Sequence, residues 1–495
     1  MKYLLGYDIG SSSVKAALLE AATGKSAAAA FSPAVEMPIR APHPGFAEQD
    51  PERWWNEALE ATRQLKKQQD FKPDEVIAIG ISYQMHGLVC VDRQLQPLRP
   101  AIIWCDSRAV DIGNRAFQAL GEKFCLQHFL NSPGNFTASK LRWVKENEPV
   151  RYEKIYRVLL PGDYIAMKMT GEAVTTASGL SEGIFWDFSK QDIADTLLTY
   201  YQIDRQLLAP VVKTFAEQGR LLAEPASRLG LTAGIPVCYR AGDQPNNAYS
   251  LNVLQPGEVA ATAGTSGVIY GVTDKTEYDD QSRVNSFLHV NHTTAAPRLG
   301  VLVCVNGTGI LNSWLRNQFF ENWSYQDMNK AAATVPIGAD GLQFLPFGNG
   351  AERILVNKDP GARLLGLQFN RHQRAHVTRA AQEGIVFALH YGAEIMQQMG
   401  TALTTVKAGH ANMFLSDVFA GSFANITNCS VELYNTDGAL GAARAAGVGA
   451  GYYKNFGESF TGMQVVKRID PQPGARQQTL ETYARWKNAL MNIQS

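Results

Sequence analysis

A chain of 495 residues is too long for one hydrophobic core and predicts two or three domains. Apolar residues make up 45% and charged residues 19%, and 46 basic side chains balance 46 acidic ones, so no basic surplus favours nucleic acid or an anionic membrane. No apolar run is long enough to span a membrane, and the first residues predict a strand rather than a signal peptide. The six cysteines are scattered without a CxxC pair, which favours reduced thiols in a cytoplasmic protein.

The first predicted elements are two strands, at residues 3–9 and 14–19, joined by the turn Gly10-Ser11-Ser12-Ser13. A tight Gly/Ser turn exposes backbone N–H groups, and its small side chains allow an anion to approach closely. Asp8 ends the first strand, where a carboxylate suits Mg²⁺ bound between it and phosphate oxygens, and Lys15 adds positive charge. For this stretch alone, an ordinary hairpin with a polar turn is the more common alternative.

Strands and helices then alternate. Asp50 and Pro51 predict the N-cap and first position of a helix over residues 51–68. Residues 76–92 predict two apolar strands around the polar centre Gln84-Met85-His86-Gly87, and residues 158–172 predict a strand, a turn and a helix. A further apolar strand ends at Gly242-Asp243, before residues with helical character. The order is that of a mixed α/β fold.

A second turn of the same kind lies about half a chain away. The stretch VAATAGTSGVIYGVTD predicts an apolar strand, the turn Gly264-Thr265-Ser266-Gly267 and another apolar strand. The repetition predicts two domains of similar fold, each with one phosphate-binding turn, that hold a nucleotide in a cleft between them. We place the domains at residues 1–252 and 253–495, with the boundary near the turn Pro256-Gly257.

Asp243 is the candidate general base. It ends a strand at the predicted domain junction, where ligands bind in open α/β sheets, and a carboxylate there can accept a proton from an alcohol. Asp is also a favoured helix N-cap, and from the residues alone the two interpretations are evenly balanced.

Several longer motifs resemble the FGGY carbohydrate kinase family over nearly the whole chain. The two phosphate turns match its two phosphate motifs, and NFTASKLRWVKEN, ARLLGLQFNRHQRAHVTRAAQEG and DGALGAARAAG match its signatures and closing segment. Asn135 and Gln382 depart from the two signatures. The resemblance implies duplicated α/β domains of the actin-like, ribonuclease-H-like fold, with a cleft between them.

The resemblance also implies an activity. The motifs PGFAEQDPERWW, QMHG, IIWCDSRA and LLPGDYIAMKMTGE are most similar to the members that phosphorylate D-xylulose, with ATP and Mg²⁺, to D-xylulose 5-phosphate. Alternatives are a kinase for ribulose, fuculose, gluconate or glycerol, a non-kinase actin-like ATPase, and a non-catalytic sugar-sensing protein. Gln244 stands where the xylulose-phosphorylating members usually have Asn and the glycerol-phosphorylating members have Gln, which favours glycerol. The glycerol-phosphorylating members, however, carry an Arg-Glu pair in the region of the QMHG turn, which argues against glycerol. A small sugar and ATP are the expected partners, and a homodimer is expected.

The family pattern assigns site residues one by one. Asp243 is the expected catalytic base, Lys140 and Trp143 are expected to be structural, and Arg108 completes a W-x-D-x-R motif that lines or supports the sugar pocket. In the QMHG turn, the alternative is a histidine satisfied within the turn. His410 replaces a usual glycine in the loop on the adenine side, where Ser416 is a weaker candidate. The expected sugar contacts are Gln84, Met85, His86, Trp104, Asp106 and Gln244; the expected nucleotide contacts are Asp8, Gly10, Ser11, Ser12, Ser13, Lys15, Gly264, Thr265, Ser266, Gly307, Gly409 and Asn412; and the expected Mg²⁺ contacts are Asp8, through ATP, and Asp243.

Overall fold

The computed structural model describes residues 1–494 and divides them into two compact units. The first unit contains residues 1–252, 287–298 and 436–463, and the second contains residues 253–286, 299–435 and 464–494. The sequence-based division assigns residues 436–463 to the second domain, whereas in the structure they are compact with residues 1–252.

The strands β1 to β22 of the described residues are, in chain order, Tyr3–Ile9, Val14–Glu20, Ser26–Ser32, Glu48–Gln49, Val76–Tyr83, Val89–Val91, Ala101–Ile102, Arg157–Leu159, Thr175–Thr176, Trp186–Asp187, Asp192–Ile193, Val211–Val212, Val237–Gly242, Glu258–Ala263, Gly267–Thr273, Asn285–Leu288, Leu299–Val305, Gln343–Leu345, Arg363–Leu365, Thr405–Gly409, Val431–Tyr434 and Val465–Ile469. The helices α1 to α17 are Pro51–Gln68, Val110–Leu120, Glu122–Phe129, Thr137–Asn147, Pro149–Tyr152, Pro161–Thr170, Ala177–Glu182, Asp195–Tyr201, Ala223–Leu229, Asp243–Ser250, Gly309–Phe319, Tyr325–Ala333, Arg374–Gln398, Asp417–Thr427, Gly438–Gly449, Phe456–Ser459 and Pro473–Gln494.

The first unit is built on a five-stranded sheet in the order β13-β5-β1-β2-β3. Strands β1, β2 and β3 are antiparallel neighbours, whereas β5 and β13 run parallel to β1. The strands are almost continuously apolar and buried, as expected for a sheet that is covered on both faces. Because β1, β5 and β13 are parallel, their carboxyl ends meet at one edge, and Asp8, Gln84 and Asp243 lie at or just after those ends.

Helix α15 covers one face of this sheet through close backbone contact. A Cβ atom on Gly6 of β1 would lie 1.9 Å from the carbonyl oxygen of Ala439, and one on Gly80 of β5 would lie 2.0 Å from that of Ala442. Only glycine permits this approach. The contact explains why residues 436–463 belong to the first unit.

The second unit repeats the strand arrangement of the first. Its sheet contains the consecutive strands β17-β15-β14-β20-β21-β22. Strands β14, β15 and β17 are antiparallel neighbours, and β20 and β21 run parallel to β14, so β14, β15, β17, β20 and β21 take the places of β1, β2, β3, β5 and β13. The predicted duplicated α/β fold is confirmed.

The local predictions near the site are also confirmed. Asp50 accepts a hydrogen bond from the backbone N–H of Glu52 at the start of α1, with Pro51 at its first position. Both predicted phosphate turns connect two antiparallel strands.

Among residues 1–494, no helix has the length and apolar character needed to cross a membrane.

Candidate active site

The first phosphate turn follows β1, and Asp8 lies at its start. The backbone N–H of Gly10 donates to the carbonyl of Ser13 at 3.0 Å, which closes the turn, and Ser82 donates to the Asp8 carboxylate at 2.9 Å. A Cβ on Gly438 would lie 2.6 Å from the Asp8 carboxylate, which therefore sits at the N-terminus of α15, where the helix dipole favours negative charge. Burial nevertheless raises the pKa of Asp8 above its ordinary value.

Asp243 is the first residue of α10, directly after β13. The N-cap position belongs to Gly242 and not to Asp243. Burial, and then the negative charge of Asp8, raise the pKa of Asp243 to about 7. A carboxyl group whose pKa is close to neutral is well suited to accept a proton at physiological pH. The helix-cap alternative for Asp243 is therefore not supported, and its role as a base stays a prediction.

The QMHG turn lies beside Asp243 because Tyr83, at the end of β5, pairs with Gly242. The backbone N–H of Gln84 donates to the carbonyl of Ile9 at 2.8 Å, which ties the turn to the end of β1 as well. Gln84 and Met85 are buried, whereas His86 is half-buried. The side-chain oxygens of Gln84 and Gln244 are buried without a hydrogen-bond partner. Unpaired acceptors of this kind suit the hydroxyl groups of a ligand.

The W-x-D-x-R motif divides into two parts. Trp104 is 50% exposed, and its ring N–H lies 3.3 Å from the Ser11 hydroxyl of the phosphate turn. Asp106 is fully buried and accepts hydrogen bonds from the backbone of Ala47 and from Arg108. The Arg108 guanidinium also lies over the rings of Phe46 and Trp143, 3.7 and 4.7 Å from their centroids. Asp106 and Arg108 therefore have the contacts of a structural ion pair, while the sugar contact assigned to Asp106 stays a prediction.

The second phosphate turn borders a cavity of about 820 Å³ in the second unit. The backbone N–H groups of Gly309 and Ile310 donate to the carbonyls of Gly264 and Thr265, at 2.9 and 3.1 Å, and hold the turn against the start of α11. A Cβ on Gly307 would lie 1.5 Å from the Pro346 carbonyl, so glycine is required there by the packing. The cavity is lined by Ala263, Gly264, Thr265, Gly309, Ile310, Asn312, Ser313, Tyr325, Gln326, Asn329, Asn412, Met413 and Leu415.

The atypical loop after β20 supplies one wall of this cavity. Gly409 ends β20, and Asn412 begins a short 3₁₀ turn that contributes to the lining. Ser416 is buried, caps α14 and donates to Gln382 at 2.7 Å, so its contacts are structural. Gln382 in turn donates to Asn329 of the cavity wall at 2.9 Å. This polar chain accounts for the unusual glutamine in the second signature.

The sequence reasoning missed several residues that the structure brings to these sites. Tyr325 and Asn329 of α12 line the cavity, although no motif marks them. Glu182, at the end of α7, is buried next to Gly242 and the QMHG turn, and burial together with the charge of Asp243 raises its pKa well above the ordinary value. Its position depends on tertiary packing, and the short helix that carries it has no distinctive sequence signal.

The carboxylates of Asp8 and Asp243 are the groups of the first unit that would hold a Mg²⁺ ion bound together with a nucleotide. The described residues contain no cluster of three or more His, Cys, Asp or Glu groups that would hold a metal by themselves. Asp8 and Asp243 provide hard carboxylate oxygens, and their mutual repulsion favours a cation between them or nearby. This donor set agrees with the way Mg²⁺ is usually held, by one or two carboxylates together with substrate phosphates.

Comparison with known proteins identifies the family. Models of the N- and C-terminal domains of the FGGY family of carbohydrate kinases match residues 3–249 and 259–450. The chain belongs to the FGGY family of carbohydrate kinases, as its motifs predicted. It is therefore a phosphotransferase, and ATP is the phosphoryl donor that the family implies.

Individual relatives agree with this assignment. The xylulose kinase of Bacillus subtilis is 30% identical over 467 residues, which cover 92% of this chain and 90% of the relative. The crystal structure of xylulose kinase from Rhodospirillum rubrum is 25% identical, covers 99% of both chains and has a TM-score of 0.87. The structure of gluconate kinase from Lactobacillus acidophilus covers 100% of this chain and 98% of its own, with a TM-score of 0.89, but at 22% identity it shows the fold alone.

The two phosphate turns provide a first testable prediction. Replacing Ser12 or Thr265 with Val removes a hydroxyl group and places a branched side chain where phosphate has to approach. We expect KM for ATP to rise about tenfold in each variant, because a hydrogen bond to a charged group contributes roughly 1.5–3 kcal/mol. Ser26→Val, at an exposed position in β3, is the matched control and should leave KM unchanged. An unchanged KM for ATP in both turn variants, at saturating sugar, would show that the turns do not bind the phosphates.

Proposed function

We propose that this kinase phosphorylates D-xylulose to D-xylulose 5-phosphate, with ATP as phosphoryl donor and Asp243 as the general base. The observation that carries the proposal is the position of Asp243 beside the QMHG turn, because strand pairing puts Gly242 next to Tyr83. The relatives named xylulose kinase match nearly the whole chain and support the choice of sugar. A cytoplasmic location, a homodimer and the absence of a nucleic-acid partner stay predictions from the sequence.

The chemistry follows from the environment of Asp243. Phosphoryl transfer to an alcohol needs an oriented hydroxyl, a proton acceptor and neutralisation of the charge on the moving group. Burial and the charge of Asp8 raise the pKa of Asp243 to about 7, so its carboxylate accepts a proton more readily than an ordinary aspartate does. It orients the acceptor hydroxyl by accepting its hydrogen bond. It then takes the proton as the hydroxyl oxygen bonds to the γ-phosphorus of ATP and the bond from that phosphorus to the departing ADP oxygen breaks.

Recognition of the sugar is assigned to the groups around this carboxylate. The unpaired amide oxygens of Gln84 and Gln244 accept hydrogen bonds from sugar hydroxyls, and the buried side chain of Met85 forms an apolar wall. His86 contributes its imidazole from the same turn. Buried polar groups of this kind discriminate between sugars because a missing hydroxyl leaves them unsatisfied.

The nucleotide is assigned to the cavity of the second unit, and the turn in each unit is a candidate phosphate-binding turn. The cavity of about 820 Å³ is large enough for an adenosine moiety and has Gly264, Thr265 and the start of α11 on its border. Each turn joins the first two strands of its sheet, so the same structural solution for binding phosphate occurs twice. When Mg²⁺ is bound with ATP, it neutralises phosphate charge, and Asp8 and Asp243 are the carboxylates that would hold it.

A substrate panel tests the choice of sugar. We expect kcat/KM for D-xylulose to exceed that for ribulose, fuculose, gluconate and glycerol, measured as sugar-dependent release of ADP. A higher kcat/KM for any other member of the panel would contradict the xylulose assignment and leave the kinase assignment in place. ADP release that does not depend on any sugar would instead favour an actin-like ATPase.

Asp243→Asn tests the base. The amide keeps the size of the side chain but cannot accept the proton, so we expect kcat to fall roughly 10²–10⁴-fold. The fall should be near the lower end of this range, because proton removal is late in a loose phosphoryl-transfer transition state. The melting temperature should be unchanged or slightly higher, since ionisation of Asp243 in its buried site disfavours the folded state.

A buried aspartate away from this site provides the control for that experiment. Asp187 is 1% exposed and lies 3.0 Å from the His128 ring, so Asp187→Asn changes a comparable carboxylate without touching Asp243. We expect it to keep kcat within a few-fold of wild type. Turnover by Asp243→Asn within the same few-fold would assign Asp243 to a structural role.

A further inference from the structure

His86 has a left-handed backbone conformation, which is uncommon for residues other than glycine. Its φ is +60°, in the left-handed region that favours glycine. The next residue, Gly87, would tolerate this conformation better, yet the strain falls on the histidine. Such strain persists only where surrounding contacts impose it, and it is concentrated at functional sites.

Lys140 of α4 is one of the residues that impose this conformation. It is fully buried, and its ammonium group donates to the carbonyl of His86 and to that of Ile103, both at 2.9 Å. Burying an ammonium group is costly unless its hydrogen bonds are made. Here two of them go to backbone oxygens, one of which belongs to the strained residue. The lysine therefore fixes the C-terminal side of His86.

Glu182 of α7 is the second such residue. Its backbone carbonyl lies 2.9 Å from Nδ1 of His86 and, because a carbonyl only accepts, Nδ1 carries the proton. The backbone N–H of His86 and the Tyr83 hydroxyl lie next to its carboxyl group. A Cβ on Gly242 would lie 2.3 Å from Oε2 of Glu182, so the carboxyl group fills the space between the histidine and the residue before Asp243.

The carboxyl group of Glu182 is not explained by the stability of the fold. The residue is 1% exposed, and neither carboxyl oxygen has a hydrogen bond of good geometry. A buried polar group in this situation destabilises the folded state. An apolar side chain of similar size would pack there with a smaller penalty to the free energy of folding. The contacts with His86 and Gly242 instead connect it to the acceptor site.

We propose that Glu182 and Lys140 are positioning residues that clamp His86 in its left-handed conformation, so that the imidazole presents a fixed face to the acceptor sugar. The inference rests on the proposed function, since it takes the QMHG turn as the sugar site. The rings of Phe136 and Phe287 pack against the half-buried imidazole, with ring centroids 4.9 and 5.3 Å from its own. The clamp acts on the affinity for sugar and not on the nucleotide.

The experiment is a double-mutant cycle on KM for the best sugar of the panel. We expect Glu182→Ala, which removes the carboxyl group but keeps the backbone acceptor, to raise KM for the sugar about tenfold and to leave KM for ATP unchanged. Glu182→Gln should restore most of the affinity, since its amide oxygen takes the place of the carboxyl oxygen. His86→Ala should raise KM at least as much, and adding Glu182→Ala to it should have no further effect.

Two further variants complete the design. Lys140→Met should likewise raise KM for the sugar and leave KM for ATP unchanged, and adding it to His86→Ala should have no further effect. If Glu182→Ala does not fold, Lys140→Met tests the clamp in its place. Glu57→Ala is the control, because Glu57 is a buried carboxylate of α1 that binds Ser32. It should change the melting temperature without changing KM for the sugar.

The outcomes separate the clamp from the proposed function. An unchanged KM for the sugar in His86→Ala overturns both the sugar site and the clamp. A raised KM in His86→Ala with an unchanged KM in Glu182→Ala and Lys140→Met overturns the clamp alone. Effects of Glu182→Ala and His86→Ala that multiply in the double variant also overturn it, because the glutamate would then act independently of the histidine.

Discussion

The burial of two neighbouring carboxylates, Asp8 and Asp243, at one edge of the first unit's sheet is the constraint on which the proposed chemistry depends. Both side chains lie at the carboxyl ends of parallel strands, and burial together with the charge of Asp8 raises the pKa of Asp243 to about 7. An isolated carboxylate on the surface would have a pKa near 4 and would be a weak base. In the protein without substrate, this edge of the sheet therefore holds a stronger base than an ordinary aspartate would be.

Close backbone packing gives this edge its geometry. The approach of α15 to Gly6 and Gly80 leaves no room for side chains between helix and sheet, and it brings the N-terminus of that helix to Asp8. The helix dipole then offsets part of the cost of the buried negative charge. The second unit repeats the strand order with different side chains at the corresponding turn, where Gly264 and Thr265 border a cavity and no carboxylate takes the place of Asp8. Under the proposed function, one scaffold supplies the acceptor chemistry and its copy supplies the nucleotide pocket.

The sequence predicted the parts of this arrangement that local patterns encode. Apolar strands bounded by Gly/Ser turns, the Asp50-Pro51 helix start and the repeated phosphate turn are short-range signals, and the structure has each of them. Long-range packing was not predictable in this way. Residues 436–463 lie far along the chain but join the first unit through contacts with Gly6 and Gly80, and Glu182 reaches the QMHG turn from a short helix without a motif. Tyr325 and Asn329 were missed for the same reason, because only the packing of distant segments beside them places them in the cavity wall.

The most direct measurement of the central claim is the titration of Asp243 itself in the protein without substrate. Carbon-13 NMR of protein labelled at the aspartate carboxyl carbons follows each carboxyl group, and Asp243→Asn identifies the signal by its loss. The account predicts a midpoint near pH 7 for that signal, and a lower midpoint when Asp8→Asn removes the neighbouring charge. A midpoint near 4, the ordinary value for an aspartate, or one that does not move in Asp8→Asn, would contradict it.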